Sequence, residues 1–185
     1  MKRTFIAVKV EAGDKLRDLV TLLKAELKSE SVRWVDTDHL HITLAFLGDT
    51  SDETINQVIT ILQNTCEEFG EINFRIKGLG VFRSINDPRV IWAGTESTEK
   101  LESLFKILQT GLESIAIRSE AREFKPHLTL GRVKWLKNKA TLERLVDQFD
   151  KTIFNEVYVP EVILFESILQ QSGPLYLPIF IASLK

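Results

Sequence analysis

His39-Leu40-His41-Ile42-Thr43-Leu44-Ala45-Phe46-Leu47-Gly48-Asp49 returns later in the chain as His127-Leu128-Thr129-Leu130-Gly131-Arg132. Both copies read His-x-Thr, with an aliphatic residue between and a leucine after. The chain has 3 histidines, and one stands at this place in each copy. Alternation over such a run marks a half-buried strand, because successive side chains point to opposite faces. It predicts His41, Thr43 and Ala45 on one face, and Leu40, Ile42, Leu44 and Phe46 on the other. In the second copy it predicts His127, Thr129 and Gly131 on one face, opposite Leu128 and Leu130. Each strand then buries an aliphatic face and offers an imidazole, a hydroxyl and a small residue on the open one. By this parity Arg132 points away from His127, unless the strand ends or bulges at Gly131.

Outward from the first copy, Thr4–Val10 reads as a strand and Leu16–Leu27 as a helix, with Asp14 as N-cap. Val32–Val35 is a short strand. The motif strand stops at Gly48-Asp49, and Ser51 opens a second helix with a capping-box pattern. Ile72–Ile76 alternates and is ended by Gly78-Leu79-Gly80; Arg89–Ala93 is the next strand, after the Asn86-Asp87-Pro88 turn. Helices follow over 97–111 and 138–149, on either side of the second motif. The stretch 154–169 is extended with an edge or bend at Pro160, and Ser172-Gly173-Pro174 turns into a last strand.

The two motif histidines are 86 positions apart. The same shift lays Ala7 on Ala93, each in the opening strand of its half, and lays the first two helices on the last two. The economical reading is one domain of two tandem repeats, about 1–86 and 87–185. Packed about a pseudo-twofold axis, they would bring both histidines to one cleft.

Composition bounds the partners. The apolar fraction of 44% and charged fraction of 27% are those of a globular protein, and a net charge of −2 excludes a global basic field for long nucleic acid. A local basic run does surround the second motif: Arg118, Arg122, Lys125, Arg132, Lys134, Lys137 and Lys139, against Glu120 and Glu123. It suits a phosphate-bearing ligand. The single cysteine, Cys66, excludes a disulfide framework and a cysteine-based zinc site. No leader or membrane span is evident, so the expectation is a cytoplasmic chain with no membrane and no obligate protein partner, a monomer.

Near neutral pH one imidazole can be basic while another is protonated. A pair flanking one phosphorus can remove a proton on one side and deliver one on the other, as in-line displacement demands. Threonine hydroxyls two residues along can hydrogen-bond the phosphate oxygens. Such a site requires no cofactor and no metal. The rival use of His39 and His41 as a metal pair lacks a third ligand at a familiar spacing.

Taken together, the paired motifs resemble the two-histidine phosphoesterase superfamily. Further residues sharpen the match: Arg3-x-Phe5-x-Ala7, Arg33-Trp34-Val35, Pro88-Arg89-Val90-x-Trp92-Ala93-Gly94, Lys125-Pro126-His127, and Gly173-Pro174-x-Tyr176. They are most similar to the RNA 2′,3′-cyclic phosphodiesterases, also called LigT-like proteins or 2′-5′ RNA ligases. That resemblance implies a bilobal α+β fold, with mainly antiparallel sheets and a cleft between the lobes. It implies metal-free hydrolysis of an RNA 2′,3′-cyclic phosphate end to a 2′-phosphate, with joining of tRNA halves through a 2′-5′ bond as a further activity. By motif, His41 would be the proton donor and His127 the proton acceptor, although the residues alone leave the two roles interchangeable. Thr43, Thr129 and Arg132 would hold the phosphate. Two rivals keep part of this reading: a cyclic phosphodiesterase acting on ADP-ribose 1″,2″-cyclic phosphate, and a non-catalytic module binding RNA ends.

Overall fold

The computed structural model describes residues 1–117, 124–171 and 173–185, in the order β1 (Lys2–Lys9), α1 (Asp14–Glu26), β2 (Ser31–Trp34), β3 (His41–Thr50), α2 (Asp52–Glu67), β4 (Ile72–Ser84), β5 (Asp87–Glu96), α3 (Glu99–Ser114), β6 (Leu128–Trp135), α4 (Lys139–Phe149), β7 (Ile153–Val159), β8 (Glu161–Gln170) and β9 (Gly173–Ser183). The architecture is α+β, as the resemblance implies. One antiparallel sheet has the order β3-β1-β8-β9 and the other β2-β6-β5-β4-β7. Each motif strand thus belongs to a different sheet, β3 at an edge and β6 one place in. The two approach one another between the sheets. Helix α2 packs on β8 and β9, α3 on α2 and β4, α4 on β4, and α1 on β7. No helix among the described residues is long and apolar enough to cross a membrane.

The sheets do not follow the halves of the chain. The boundary near residue 86 falls in the β4–β5 hairpin, inside one sheet, and β8 and β9 return to pair beside β1. Pro160 is where the chain crosses from one sheet to the other, between β7 and β8. It has no N–H to leave unpaired at the crossing, and its carbonyl accepts from Leu184 N at 2.8 Å.

Several element ends differ from the sequence reading. Gly13, not Asp14, is the N-cap of α1, and Asp14 sits in the first turn, where a carboxylate suits the helix dipole. Ser51 does cap α2, accepting from Thr54 N. Gly78 does not end its strand. It makes a bulge at φ +77°, a conformation open to glycine, and donates to Thr152 O at 3.0 Å while β4 continues to Ser84. The first motif strand runs past Gly48 to Thr50, whose hydroxyl meets that of Thr4 at 2.7 Å in a buried pair. Helix α3 runs through Gly111 to Ser114, because that glycine is where Ile61 of α2 presses against it.

The largest departure is in facing. Between Ile6↔Ala45 and Ala7↔Thr43 the register slips, leaving Leu44 as a bulge. Between Ile91↔Gly131 and Trp92↔Thr129 it slips again at Leu130. A bulge shifts the parity of everything beyond it. Ala45 and Gly131 are therefore buried with the aliphatic face, while Phe46 and Arg132 turn to the histidine face. The bulged leucines keep the 86-position spacing, so Phe46 and Arg132 are equivalent. The opening strands keep one of 85, so Ala7 matches Trp92 in register and not Ala93.

Gly131 is small for packing, not for access. A Cβ there would lie 2.8 Å from Val32 Cγ1 and 2.9 Å from Trp34 Cε3. Gly131→Ala should cost about 1–3 kcal/mol of stability, as overpacking a tight core does. Urea unfolding of the variant beside the wild type measures it.

Candidate active site

The two histidines are held alike. His41 Nδ1 donates to the His39 carbonyl at 2.8 Å, and His127 Nδ1 donates to the Lys125 carbonyl at 2.8 Å. A carbonyl only accepts, so each Nδ1 carries the hydrogen and each Nε2 is left to take or give a proton. The backbone supplying each carbonyl is itself fixed. Asp36 accepts from Asp38 N to shape the turn Thr37–His39, and Arg17 donates to Thr37 Oγ1 and to Asp38. On the other side Thr95 Oγ1 donates to the Pro126 carbonyl at 3.0 Å, and Phe124 stacks on Phe105 at 4.2 Å. His127 thus precedes β6 instead of lying within it, as Pro126 beside it favours.

Thr43 and Thr129 lie on the histidine faces, half-buried. Neither hydroxyl has a hydrogen-bond partner in the protein among the described residues. Arg132 stands close enough to both imidazoles to act on each electrostatically. Burial is the main cause that pushes His41 below its ordinary value. Its bond to the His39 carbonyl opposes this, and the charges of Arg132, His127 and His39 add to it. Burial likewise lowers His127, its bond to Lys125 opposes, and Arg132 adds. The charge of His127 acts on His41, Arg132 acts on both, and β3 and β6 approach one another, so the two imidazoles share one cleft. The site residues read from sequence are therefore brought together. Arg118 and Arg122, with Glu120 and Glu123, lie outside the described residues. His39 is exposed in its turn and contributes its carbonyl. Among the described residues no three His, Cys, Asp or Glu side chains gather as metal ligands.

Sequence reasoning assigned no role to the aromatic walls. On the His41 side, Phe5 packs against His41, Phe165 and Tyr176 at 5.2, 5.2 and 5.1 Å, and Phe46 lies 6.1 Å from it, 68% exposed. On the His127 side, Phe82 meets the imidazole edge-on at 4.6 Å. Trp92 lies over Gly80, where a Cβ would come within 2.3 Å of the indole. Arg33 faces Arg132 in the β2–β6 register, and both guanidiniums act on Tyr176. The first wall is thus aromatic and the second cationic as well as aromatic.

The family model described as LigT like phosphoesterase matches residues 6–92 and 94–176, nearly the whole chain. The chain belongs to that family. Among curated relatives of this LigT-like chain is the RNA 2′,3′-cyclic phosphodiesterase of Methanothermobacter thermautotrophicus, 33% identical, with 94% of each chain covered. Another, of the same name and from Thermotoga maritima, is 32% identical over 94% of this chain and 91% of its own. Among solved structures, TT0787 of Thermus thermophilus superposes with a TM-score of 0.78 at 25% identity, covering 98% of this chain and 97% of that one. E. coli LigT complexed with 3′-AMP gives 0.76 at 21% identity, covering 100% and 98%. These likenesses carry the bilobal LigT-like fold.

Proposed function

We propose that this LigT-like phosphoesterase hydrolyses the terminal 2′,3′-cyclic phosphate of RNA to a 2′-phosphate. The observation that carries the reading is the matched pair of Nδ1–carbonyl bonds, which leaves two Nε2 atoms as the working groups of one cleft. The names of the curated relatives support the substrate. In this reading His127 Nε2 takes a proton from water, whose oxygen attacks phosphorus. The bond to the 3′ oxygen breaks, and His41 Nε2 delivers its proton to that oxygen. Thr43, Thr129 and Arg132 hold the non-bridging oxygens. With the 5′-hydroxyl of a second RNA in place of water, the same steps form a 2′-5′ bond. The aromatic wall of Phe5, Phe46, Phe165 and Tyr176 suits a nucleoside, since bases stack on such rings.

Two imidazoles complete the proton transfers, so turnover should survive exhaustive chelation. A short RNA ending in 2′,3′-cyclic phosphate, incubated with chelator-treated protein, should yield a 2′-phosphate end, and ADP-ribose 1″,2″-cyclic phosphate should react more slowly. Loss of turnover on chelation, restored by one divalent ion, overturns the metal-free mechanism. Tight binding of the RNA end with no product overturns the enzyme reading.

A further inference from the structure

Beside the cleft, at the β2 edge, a recess of about 400 Å³ is lined by Ser31, Val32, Arg33, Lys134 and Gln171. It holds neither histidine, yet it adjoins the site through its arginine. Arg33 lies directly across from Arg132, one strand away, and strands in a sheet stand about 4.8 Å apart. Val32 pairs with Val133 and Ser31 with Trp135, so Lys134 is the bulged residue between, which re-aims its side chain. The Arg33 guanidinium extends to the start of β9, where its Nη2 lies 3.1 Å from the point a Cβ on Gly173 would occupy. Glycine there leaves it room.

Among the described residues nothing compensates the charges in this recess. Among the described residues neither Arg33, Arg132 nor Lys134 is in an ion pair. Glu30, the acid adjoining β2, accepts instead from the backbone amides of Lys137 and Asn138. Two cations with a hydroxyl and an amide therefore line a hollow one strand from the reacting phosphate. Arginine's fork suits paired phosphate oxygens, and lysine adds a point charge.

We propose that this recess binds the phosphate on the 5′ side of the terminal nucleotide, an assignment that rests on the phosphodiesterase reading above. Arg132 then serves the cyclic phosphate, and Arg33 with Lys134 serves the next one along the chain. The enzyme in consequence prefers a polynucleotide end to a free nucleoside cyclic phosphate.

The test compares adenosine 2′,3′-cyclic phosphate bearing a 5′-hydroxyl with the same compound bearing a 5′-phosphate, and with a dinucleotide ending in the cyclic phosphate. The 5′-phosphate should raise kcat/KM on the order of tenfold or more, chiefly through KM, as charge-assisted hydrogen bonds do. The dinucleotide should show a similar gain. In Arg33→Gln and in Lys134→Gln the ratio of phosphorylated to unphosphorylated substrate should fall toward one. Each ratio is taken within one protein preparation, so partial loss of folded enzyme cancels. A wild-type ratio near one overturns the proposal, as does an undiminished ratio in both variants. A gain confined to the dinucleotide also overturns it, because the second nucleoside is then what is read. If the wild type turns over none of the three, the phosphodiesterase reading itself falls, and this one with it.

Discussion

His41→Ala and His127→Ala should each lower kcat/KM by roughly 10²–10⁴, the usual worth of one positioned acid or base. The double variant should lose little more, because groups that act as a unit are not additive. The physical reason is in the cleft. Each Nδ1 is committed to a backbone carbonyl, so neither ring can swap nitrogens to replace the other's proton transfer. Thr43→Ala and Thr129→Ala should cost less, each removing one hydrogen bond to a charged oxygen, about 1.5–3 kcal/mol. All four side chains lie on the cleft-facing sides of their segments, while Leu40, Ile42, Leu128 and Leu130 carry the burial. Far-UV circular dichroism should therefore be unchanged. A folded His127→Ala protein with near-normal turnover of the RNA end would sink the two-histidine mechanism.

Arg132→Gln should lower kcat/KM by roughly 10- to 100-fold, through loss of a charge-assisted contact to the phosphate. It should also move the pH profile, and the sign follows from the charges. In the free enzyme one imidazole must be protonated and the other neutral, so kcat/KM is a bell lying between their two apparent pKa values. Burial lowers both histidines, and the Arg132 charge lowers both further. The wild-type bell should therefore centre on the acid side of imidazole's ordinary value of about 6.5. Removing the charge lets both rise, and the bell moves to higher pH. Arg132→Lys, which keeps the charge but not the fork, should retain the wild-type position while losing rate. A profile unmoved in Arg132→Gln would mean that the guanidinium does not face the imidazoles in solution.

The aliphatic partners of each motif and the paired His-x-Thr pattern were legible from alternation and spacing alone, and the α+β class from the resemblance those motifs carry. A strand's period of two is a local property, and it correctly buries Leu40, Ile42 and Leu44 in the first copy and Leu128 and Leu130 in the second without knowledge of any neighbour. It fails one residue later in both copies. Whether Leu44 and Leu130 bulge depends on how many residues the partner strands β1 and β5 offer opposite them, which no pattern within β3 or β6 records. That single slip exchanges Ala45 for Phe46 and Gly131 for Arg132 on the working face. It made the guanidinium a neighbour of both histidines when parity placed it behind the sheet.

The anchoring carbonyls of His39 and Lys125 were equally out of reach of the pattern. A carbonyl is common to every residue, and only the path of the turn aims it at an imidazole. The sequence thus determined which residues are candidates for the chemistry and which faces are buried, because residue type and period are written along the chain. Tertiary structure alone decided the aromatic walls, the facing of Arg132, the mixing of strands from both halves in each sheet, and the recess behind Arg33. Each of these is a relation between strands far apart in sequence, set by register and by the crossing at Pro160.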